Sequence, residues 1–383
     1  MYKGREEELT RELLAVGQST MSEPNTGQPV VRVENVYKIF GRRPKAVAEK
    51  MQAGATRKDV ENQGTAAVID ATFDVYPGEI FVVMGLSGSG KSTLIRTLNA
   101  LQPATTGTVE VRGQDLAKLS PKELRALRSE HISMVFQHFA LFPHWTNIEN
   151  AAYSLETQGV AKQERYEKAR EVLAAVGLKG WEDSYPSELS GGMRQRVGLA
   201  RALAADTDVM LMDEAFSALD PLIRREMQEE LKQIQDRLGR TIIFITHDLN
   251  EAMFLGDRIA VMKDGEIAQI GTPEQILSEP ADDYVASFTS DVDRARVLTA
   301  ESVMVPENEL TEEDRASFAR KSLSVKSDAT IQQIVPVVLE AQGPVAVDSA
   351  TGSDRVGYIR LATLLEALTP QESTVVDGAK AAN

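Results

Sequence analysis

One glycine-rich stretch of the sequence fits a site for a phosphate chain. Residues 85–92 read Gly-Leu-Ser-Gly-Ser-Gly-Lys-Ser and fill every position of the pattern G-x-x-x-x-G-K-[ST]. Glycines let the backbone curl so that its N–H groups face phosphate oxygens, and the start of a following helix adds a favourable dipole. Lys91 would bind the β- and γ-phosphates, and Ser92 would bind Mg²⁺. The predicted nucleotide-binding residues are Gly85, Leu86, Ser87, Gly88, Ser89, Gly90, Lys91, Ser92 and Thr93.

Two carboxylates after a second apolar run could complete a hydrolytic site. Residues 209–212 are all apolar, and Asp213 and Glu214 follow them directly. Such a run predicts a strand buried on both faces, whose carboxyl end opens beside the phosphate loop in a doubly wound sheet. Asp213 would hold Mg²⁺ through water, and Glu214 would polarise the attacking water. An acidic pair alone is more often a helix cap, but its combination with the phosphate loop favours catalysis.

A third motif, residues 189–195, reads Leu-Ser-Gly-Gly-Met-Arg-Gln. Ser190 could cap a helix running to about Ala205, so that glycine amides and the helix dipole form an outward-facing anion site. The motif resembles the signature that only ATP-binding-cassette (ABC) ATPases carry. The resemblance implies that the nucleotide is ATP, and that this motif contacts the ATP of a second, head-to-tail copy of the chain. The residues expected to contact ATP in trans are Ser190, Gly191, Gly192, Gln195 and Asp220.

Two single residues match further positions of ABC ATPases. The resemblance implies that Gln137 contacts Mg²⁺ and couples the site to a membrane partner. It also implies that His247, after the predicted strand 241–246, contacts the γ-phosphate. The expected catalytic residues are then Glu214, His247 and Lys91. The expected Mg²⁺ ligands are Ser92, Gln137 and Asp213.

The adenine and the dimer contacts are expected from two shorter matches. Phe40 resembles the aromatic residue that stacks on adenine, with Tyr37 as the alternative. A polar insert rich in Ala, Gln and Lys, residues 41–67, separates Phe40 from the phosphate loop and is expected to contain one short helix. Residues 217–220, Ser-Ala-Leu-Asp, resemble the loop that communicates across the ATP-dependent dimer.

Over residues 30–288 the chain resembles the ATPase subunits of quaternary-amine importers, which move glycine betaine, proline betaine or choline. The most distinctive stretch is residues 214–224, because most ABC ATPases read Pro or Thr where this chain has Ala215 and Phe216. The resemblance implies two kinds of partner, a transmembrane permease and an extracytoplasmic substrate-binding protein. The aromatic-rich segment 139–145 would lie near the groove that receives the permease, although a buried loop explains that segment equally well.

Two alternative functions stay open at this stage. Importers of histidine or other amino-acid-like solutes use nearly identical ATPases, so the same motor could serve a different solute. The second alternative is a soluble ABC ATPase of translation or DNA maintenance. Such proteins usually have two cassettes or a long coiled coil, whereas this sequence shows one cassette and no long coiled coil.

The composition bounds the class of protein. The 383 residues include 57 acidic and 42 basic side chains, for a formal charge of −15, which argues against a nucleic-acid partner. The absence of cysteine excludes disulfide and thiol chemistry. The longest apolar runs, such as residues 80–84, are far shorter than the roughly 20 residues that cross a bilayer. We therefore expect a peripheral protein on the cytoplasmic face of the inner (plasma) membrane.

The alternation of β-rich and helical stretches predicts an α/β fold. The expected fold is a P-loop ABC ATPase domain, with a RecA-like core and a helical subdomain at about residues 121–205, followed by a small C-terminal α+β domain. The predicted divisions are a flexible extension at 1–28, the nucleotide-binding domain at 29–290, the small domain at 297–369 and a tail at 370–383.

The small domain resembles one regulatory module of the cystathionine-β-synthase (CBS) type. A strand near Ser324, a helix from Thr330, a strand at 344–347 and a strand–helix unit from Gly357 are its expected elements. Arg360 and Thr363 replace the residues that bind a ribose in many such modules, which argues against nucleotide binding here. A small dimerisation or docking domain is the alternative interpretation.

Overall fold

The computed structural model describes residues 27–137, 139–217, 219–290, 292–352 and 354–369. These residues form two compact units that divide after Ile267, earlier in the chain than the predicted boundary near residue 290. Most of the predicted extension (residues 1–26), the predicted tail and Ala218 lie outside the described residues.

The first unit contains the elements that carry the predicted site. Its strands are β1 Val31–Gly41, β2 Gly64–Val75, β3 Ile80–Met84, β4 Thr106–Val111, β5 Gln114–Asp115, β6 Ile132–Val135, β7 Val209–Asp213, β8 Thr241–Thr246, β9 Arg258–Lys263 and β10 Glu266–Gly271, which runs past the boundary. Its helices are α1 Pro44–Gln52, α2 Arg57–Val60, α3 Lys91–Leu98, α4 Pro121–His131, α5 Asn147–Thr157, α6 Lys162–Ala175, α7 Gly191–Ala204, α8 Pro221–Leu238 and α9 Leu249–Leu255.

The central sheet brings distant parts of the sequence to one edge. Its strand order is β10-β9-β3-β8-β7-β6, and β6, β7, β8, β3 and β9 run parallel. All residues of β3, β7 and β8 are buried, as expected for parallel strands covered on both faces. The predicted strands at 209–212 and 241–246 are confirmed. Because parallel strands end at one edge, the loops after β3, β7 and β8 lie together.

A second sheet has four strands in the order β2-β1-β4-β5. The predicted polar insert packs against this sheet and contributes to its hydrophobic core. It contains two helices, α1 and α2, and the start of β2, whose first residue Gly64 pairs with Gly41. Val47, Met51 and Val60 of the insert are buried together with Tyr37 of β1. The expectation of a polar interruption with one short helix was therefore wrong. Its few apolar residues fall on one face, and the abundant polar residues around them hid that pattern.

The predicted helical section at 121–205 is largely confirmed by α4, α5, α6 and α7. It also contains β6, whose four residues Ile132–Val135 extend the central sheet beyond β7. Local side chains fix several helix starts. Ser120 and Glu123 form a capping box at α4, and Thr146 and Glu149 form another at α5.

The second unit is a small α+β structure. Its strands are β11 Ser324–Lys326, β12 Val345–Asp348 and β13 Arg355–Ile359, with β11 parallel and β13 antiparallel to β12. Its helices are α10 Pro273–Ser278, α11 Asp283–Thr289, α12 Arg294–Val297, α13 Ala300–Val303, α14 Glu312–Arg320, α15 Ile331–Ala341 and α16 Leu361–Leu368. The expected elements from Ser324 onward are present, while the CBS-type identity stays a prediction. Within the described residues, no helix has both the length and the apolar character to cross a membrane.

Candidate functional site

The phosphate loop connects β3 to α3, as the sequence predicts. Gly85, Gly88 and Gly90 have φ angles of 150°, 82° and 105°, in the region that favours glycine. A Cβ atom on Gly85 would collide with the carbonyl oxygen of Met262, and one on Gly90 would collide with that of Ala67. The curled loop therefore requires glycine both for its conformation and for the close approach of neighbouring backbone.

Lys91 lies inside the loop rather than in solvent. Its side chain is buried, and its ammonium donates hydrogen bonds to the carbonyl oxygens of Gly85 at 2.8 Å and Leu86 at 3.0 Å. Burial lowers the pKa of Lys91, while the carboxylates of Glu214 and Asp213 oppose that shift. The site thus concentrates one buried positive charge at the place where phosphate oxygens would bind.

Asp213 connects β7 to the phosphate loop. Its Oδ1 accepts a 2.9 Å hydrogen bond from the Ser92 hydroxyl, and its Oδ2 lies 3.3 Å from Nη2 of Arg96. A hydroxyl and a buried carboxylate at this distance fit a hard, oxygen-seeking cation such as Mg²⁺. The sequence reasoning missed Arg96, although its position four residues after Ser92 on a helix places both side chains on one face.

Glu214, Gln137 and His247 meet beyond the ends of β7, β6 and β8. Nε2 of Gln137 donates to Oε2 of Glu214 at 3.2 Å, and Nδ1 of His247 lies 3.5 Å from the same oxygen. Glu214 has a φ of 46°, a conformation that is costly for a residue with a Cβ atom. Ser217 braces this turn, because its hydroxyl donates to the carbonyl oxygen of Glu214 at 2.9 Å. Gln137 and His247, which were predicted from separate motifs, therefore converge on the carboxylate of Glu214.

The third motif begins a helix as predicted. The Ser190 hydroxyl accepts a hydrogen bond from the Met193 amide at 3.3 Å, and α7 runs from Gly191 to Ala204. Asp220 caps α8 in the same manner by accepting from the Ile223 amide at 3.1 Å. Ser190 and Asp220 are both exposed, so both side chains are accessible to a second molecule.

The structure contradicts the expected trans contact of Gln195. Its side chain is completely buried on the inner face of α7, so it cannot reach a nucleotide held by another chain. Neither atom of its amide forms a hydrogen bond within the described residues. The prediction was wrong because it carried one motif over as a block, whereas a helix turns successive residues to different faces.

Of the two candidate adenine-stacking residues, only Phe40 is accessible. Phe40 lies at the end of β1 with 40% of its surface exposed, and the Lys38 ammonium lies 5.1 Å from its ring centre. Tyr37 is packed in the core against the insert and cannot present its ring to a base. The structure therefore removes the alternative and leaves Phe40 as the candidate.

The segment 139–145 is only partly buried. Phe142, Trp145 and Tyr153 form an aromatic cluster with ring centres 4.5 to 5.7 Å apart. Phe142 and Tyr153 also line a groove of about 320 Å³ between β6, α5 and α7. The loop is therefore neither a fully buried structural loop nor a solvated one.

Comparisons with known proteins give a consistent result. The family profile described as "ABC transporter" matches residues 68–217. The chain is 56% identical to the glycine betaine transport ATP-binding protein OpuAA of Bacillus subtilis, over 72% of this chain and 66% of that protein. It is 53% identical to the glycine betaine/proline betaine transport ATP-binding protein ProV of Salmonella typhimurium, over 71% and 69% of the two chains. It is 47% identical to the trimethylamine N-oxide transport ATP-binding protein TmoW of Ruegeria pomeroyi, over 82% and 89%.

A solved structure supports the fold. The dimeric, ADP- and phosphate-bound ATP-binding cassette MJ0796 is 31% identical, with a TM-score of 0.54. The alignment covers 63% of this chain and 98% of that cassette. The covered part of this chain thus accounts for nearly the whole of a cassette.

Proposed function

We propose a transport motor as the function of this chain, which belongs to the family of ATP-binding subunits of ABC transporters, in the group related to glycine betaine and proline betaine systems. The motor binds and hydrolyses ATP and drives the uptake of a quaternary amine. The observation that carries the proposal is the convergence of Gln137 and His247 on Glu214, beside a phosphate loop tied to Asp213 through Ser92.

Each side chain has a role that follows from its position. Lys91 can exchange its carbonyl partners for the β- and γ-phosphate oxygens, because a buried ammonium gains more from anions than from neutral acceptors. Ser92, Asp213 and Gln137 would hold Mg²⁺, which would neutralise charge on the phosphates. Glu214 would accept a proton from the attacking water, and His247 would orient that water and the γ-phosphate. Phe40 would stack on adenine.

The second half of the site would come from another copy of the chain. Ser190, Gly191 and Gly192 begin a helix whose N-terminus is exposed, and such a terminus favours phosphate. A head-to-tail dimer would place this terminus, together with Asp220, against ATP bound to the facing phosphate loop. ATP binding would close the dimer and hydrolysis would reopen it, as a population shift between two states.

The partners follow from the same role. The groove beside Phe142, with its partly exposed aromatic rings, fits a helix from a transmembrane permease, since aromatic residues dominate the energy of such interfaces. This groove adjoins the loop that carries Gln137, so docking would bear on the hydrolytic site. The complex would include an extracytoplasmic substrate-binding protein, and this chain would act on the cytoplasmic face of the membrane.

Uptake measurements test both the motor role and the solute. Uptake of labelled glycine betaine, choline, trimethylamine N-oxide and histidine is compared in cells carrying the unaltered chain, Lys91→Ala, or the control Lys122→Ala on the exposed face of α4. Loss of methylated-amine uptake in Lys91→Ala alone would support the proposal. Loss of histidine uptake alone would retain the motor role and reject the solute class. If no uptake depends on Lys91, the transport proposal is wrong.

A further inference from the structure

Arg224, on the first turn of α8, binds the loop that connects β7 to α8. Its Nε donates a hydrogen bond to the carbonyl oxygen of Phe216 at 3.3 Å. Its Nη2 donates to the carbonyl oxygens of Ser217 at 3.4 Å and Leu219 at 3.1 Å. A guanidinium holds several N–H donors in one rigid plane. This single side chain therefore fixes the backbone path of the β7–α8 loop.

The same guanidinium also reaches the segment that follows β8. Its Nη1 lies 3.3 Å from Oδ2 of Asp248, the residue directly after His247. Oδ1 of Asp248 accepts hydrogen bonds from the amides of Asn250 at 2.9 Å and Glu251 at 3.2 Å, at the start of α9. One turn further along α8, Nε2 of Gln228 donates to Oε1 of Glu251 at 2.9 Å. Two successive turns of α8 therefore hold the segment that follows His247.

The β7–α8 loop connects the hydrolytic site to the surface expected to face a second copy of the chain. At its start, the Ser217 hydroxyl donates to the carbonyl oxygen of Glu214 at 2.9 Å and accepts from Nε2 of Gln137 at 3.4 Å. At its end, Asp220 is exposed and caps α8. A displacement of Asp220 would therefore be felt at Glu214, provided that the loop between them is held as one piece.

Exposure separates this role from a purely stabilising one. The side chains of Arg224 and Asp248 are 27% and 32% exposed, and an ion pair so open to water contributes little to stability. The bonds to three consecutive parts of one loop, in contrast, depend closely on geometry. Arg225, the next residue, is exposed and pairs with Glu229 of its own helix at 3.1 Å. The two neighbouring arginines thus form a natural pair of test and control.

We propose that Arg224 is a positioning residue for ATP hydrolysis. By tying the β7–α8 loop to Asp248, it keeps Glu214 and His247 in the arrangement in which Oε2 and Nδ1 lie 3.5 Å apart. Contact of a second copy with Asp220 is then transmitted to both residues at once. This inference rests on the proposed function, because it assumes that Glu214 and His247 act on ATP.

The test compares Arg224→Gln and Arg224→Lys with the control Arg225→Gln in the full chain. Steady-state hydrolysis gives kcat, and equilibrium dialysis with labelled ATP gives the affinity. In Arg224→Gln, kcat should fall by about 10–100-fold, because small displacements of the reacting groups have effects of this size. ATP affinity should stay unchanged, because the phosphate loop keeps its own contacts. Arg224→Lys should recover only part of kcat, since an ammonium cannot reproduce the planar set of bonds.

A double-mutant cycle tests the connection to Asp248. Asp248→Asn keeps an oxygen that can accept the amides at the start of α9 but removes the charge that faces Arg224. Alone it should lower kcat, and it should add little to Arg224→Gln, because the contact is already lost there. Additive effects of the two substitutions, or a normal kcat in Asp248→Asn, would reject the connection to His247.

The remaining outcomes distinguish this inference from the proposed function. A normal kcat in Arg224→Gln, or an equal loss in Arg225→Gln, would overturn the inference alone. A joint fall in ATP affinity and in the temperature of thermal unfolding of Arg224→Gln would also overturn it, because that result indicates a structural role. If the unaltered chain does not hydrolyse ATP, the proposed function is wrong and this inference fails with it.

Discussion

Arg201 of α7 donates a 2.6 Å hydrogen bond to the carbonyl oxygen of Ala140, in the loop that follows Gln137. A second bond of 3.0 Å reaches the carbonyl oxygen of Phe139. Phe139 and Ala140 have φ angles of 60° and 49°, which is a strained pair for residues other than glycine. One buried arginine on the helix capped by Ser190 therefore holds the loop that presents Gln137 to Glu214.

Replacing Arg201 is expected to loosen that loop. Arg201→Lys cannot reproduce two bonds from one planar group, and we predict a loss of about 2 kcal/mol in the free energy of unfolding. ATP affinity should change little, whereas kcat for hydrolysis should fall, because Gln137 would no longer be held at the site. Urea unfolding and steady-state ATPase assays measure the two effects. Arg125→Lys on the exposed face of α4 is the control, and equal behaviour of both variants would contradict the assigned role.

Glu214→Gln tests the proposed general base. The amide retains the size of the side chain but cannot accept a proton from water, so hydrolysis should fall by about 10²–10⁴-fold while ATP binding persists. Size-exclusion chromatography with ATP should then show a longer-lived dimer than for the unaltered chain. Turnover at the normal rate would show that another group acts as the base.

Gln195 offers a stability test, because its amide is fully buried and forms no hydrogen bond to the residues that the structure describes. Gln195→Met keeps a similar shape and removes the unpaired polar atoms, so we predict a gain of about 1–2 kcal/mol in the free energy of unfolding. Gln195→Glu should be destabilising, because it buries a charge at the same place. If Gln195→Met is instead the less stable variant, the amide must have a partner in solution.

The pH dependence of stability should report on Glu251, which is 4% exposed on α9. Burial raises its pKa, and hydrogen bonds from Thr246 and Gln228 only partly oppose the shift. The folded state therefore holds this proton more tightly than the unfolded chain does. The resulting stabilisation is fully present below the unfolded pKa of about 4.3 and is lost as the pH rises through the folded pKa.

Glu251→Gln should remove this dependence and raise the free energy of unfolding at pH 7, because the neutral amide places no charge in the buried site. Its carbonyl oxygen can still accept the bond from Gln228, so the substitution changes charge more than geometry. Thermal unfolding between pH 4 and pH 8 is the measurement, with the exposed Glu49→Gln as reference. Parallel pH profiles for the two variants would show that Glu251 does not contribute.

The sequence could predict those parts of the site that depend on contiguous patterns. The phosphate loop, the acidic end of β7 and the cap at Ser190 each combine their chemistry with the element that positions it. Gln195 was misassigned because a motif does not state which helix face turns inward. Arg201 was missed because an arginine on a helix is usually exposed, and only the packing against residues 139 and 140 gives it a role.

The insert was misjudged for a related reason. Its apolar residues are sparse, and they gain partners only when β1 and β2 pair across it. The left-handed conformation of Glu214 could not be foreseen either, because such a φ angle is uncommon for a residue with a Cβ atom and the sequence has no glycine there.

The contact that makes Gly90 indispensable also limits how this protein can be recombined with its relatives. The backbone that excludes a side chain at Gly90 belongs to Ala67, only three residues into β2, the strand that the insert leads into. A chimera that exchanges only the insert would have its junction at Ala67. A change of backbone there would disturb the packing of Ala67 against Gly90 in the phosphate loop. A junction after Val75 would transfer the insert with the whole of β2, so that Ala67 stays within its own strand beside Gly90, and is the place where an exchange should preserve ATP binding.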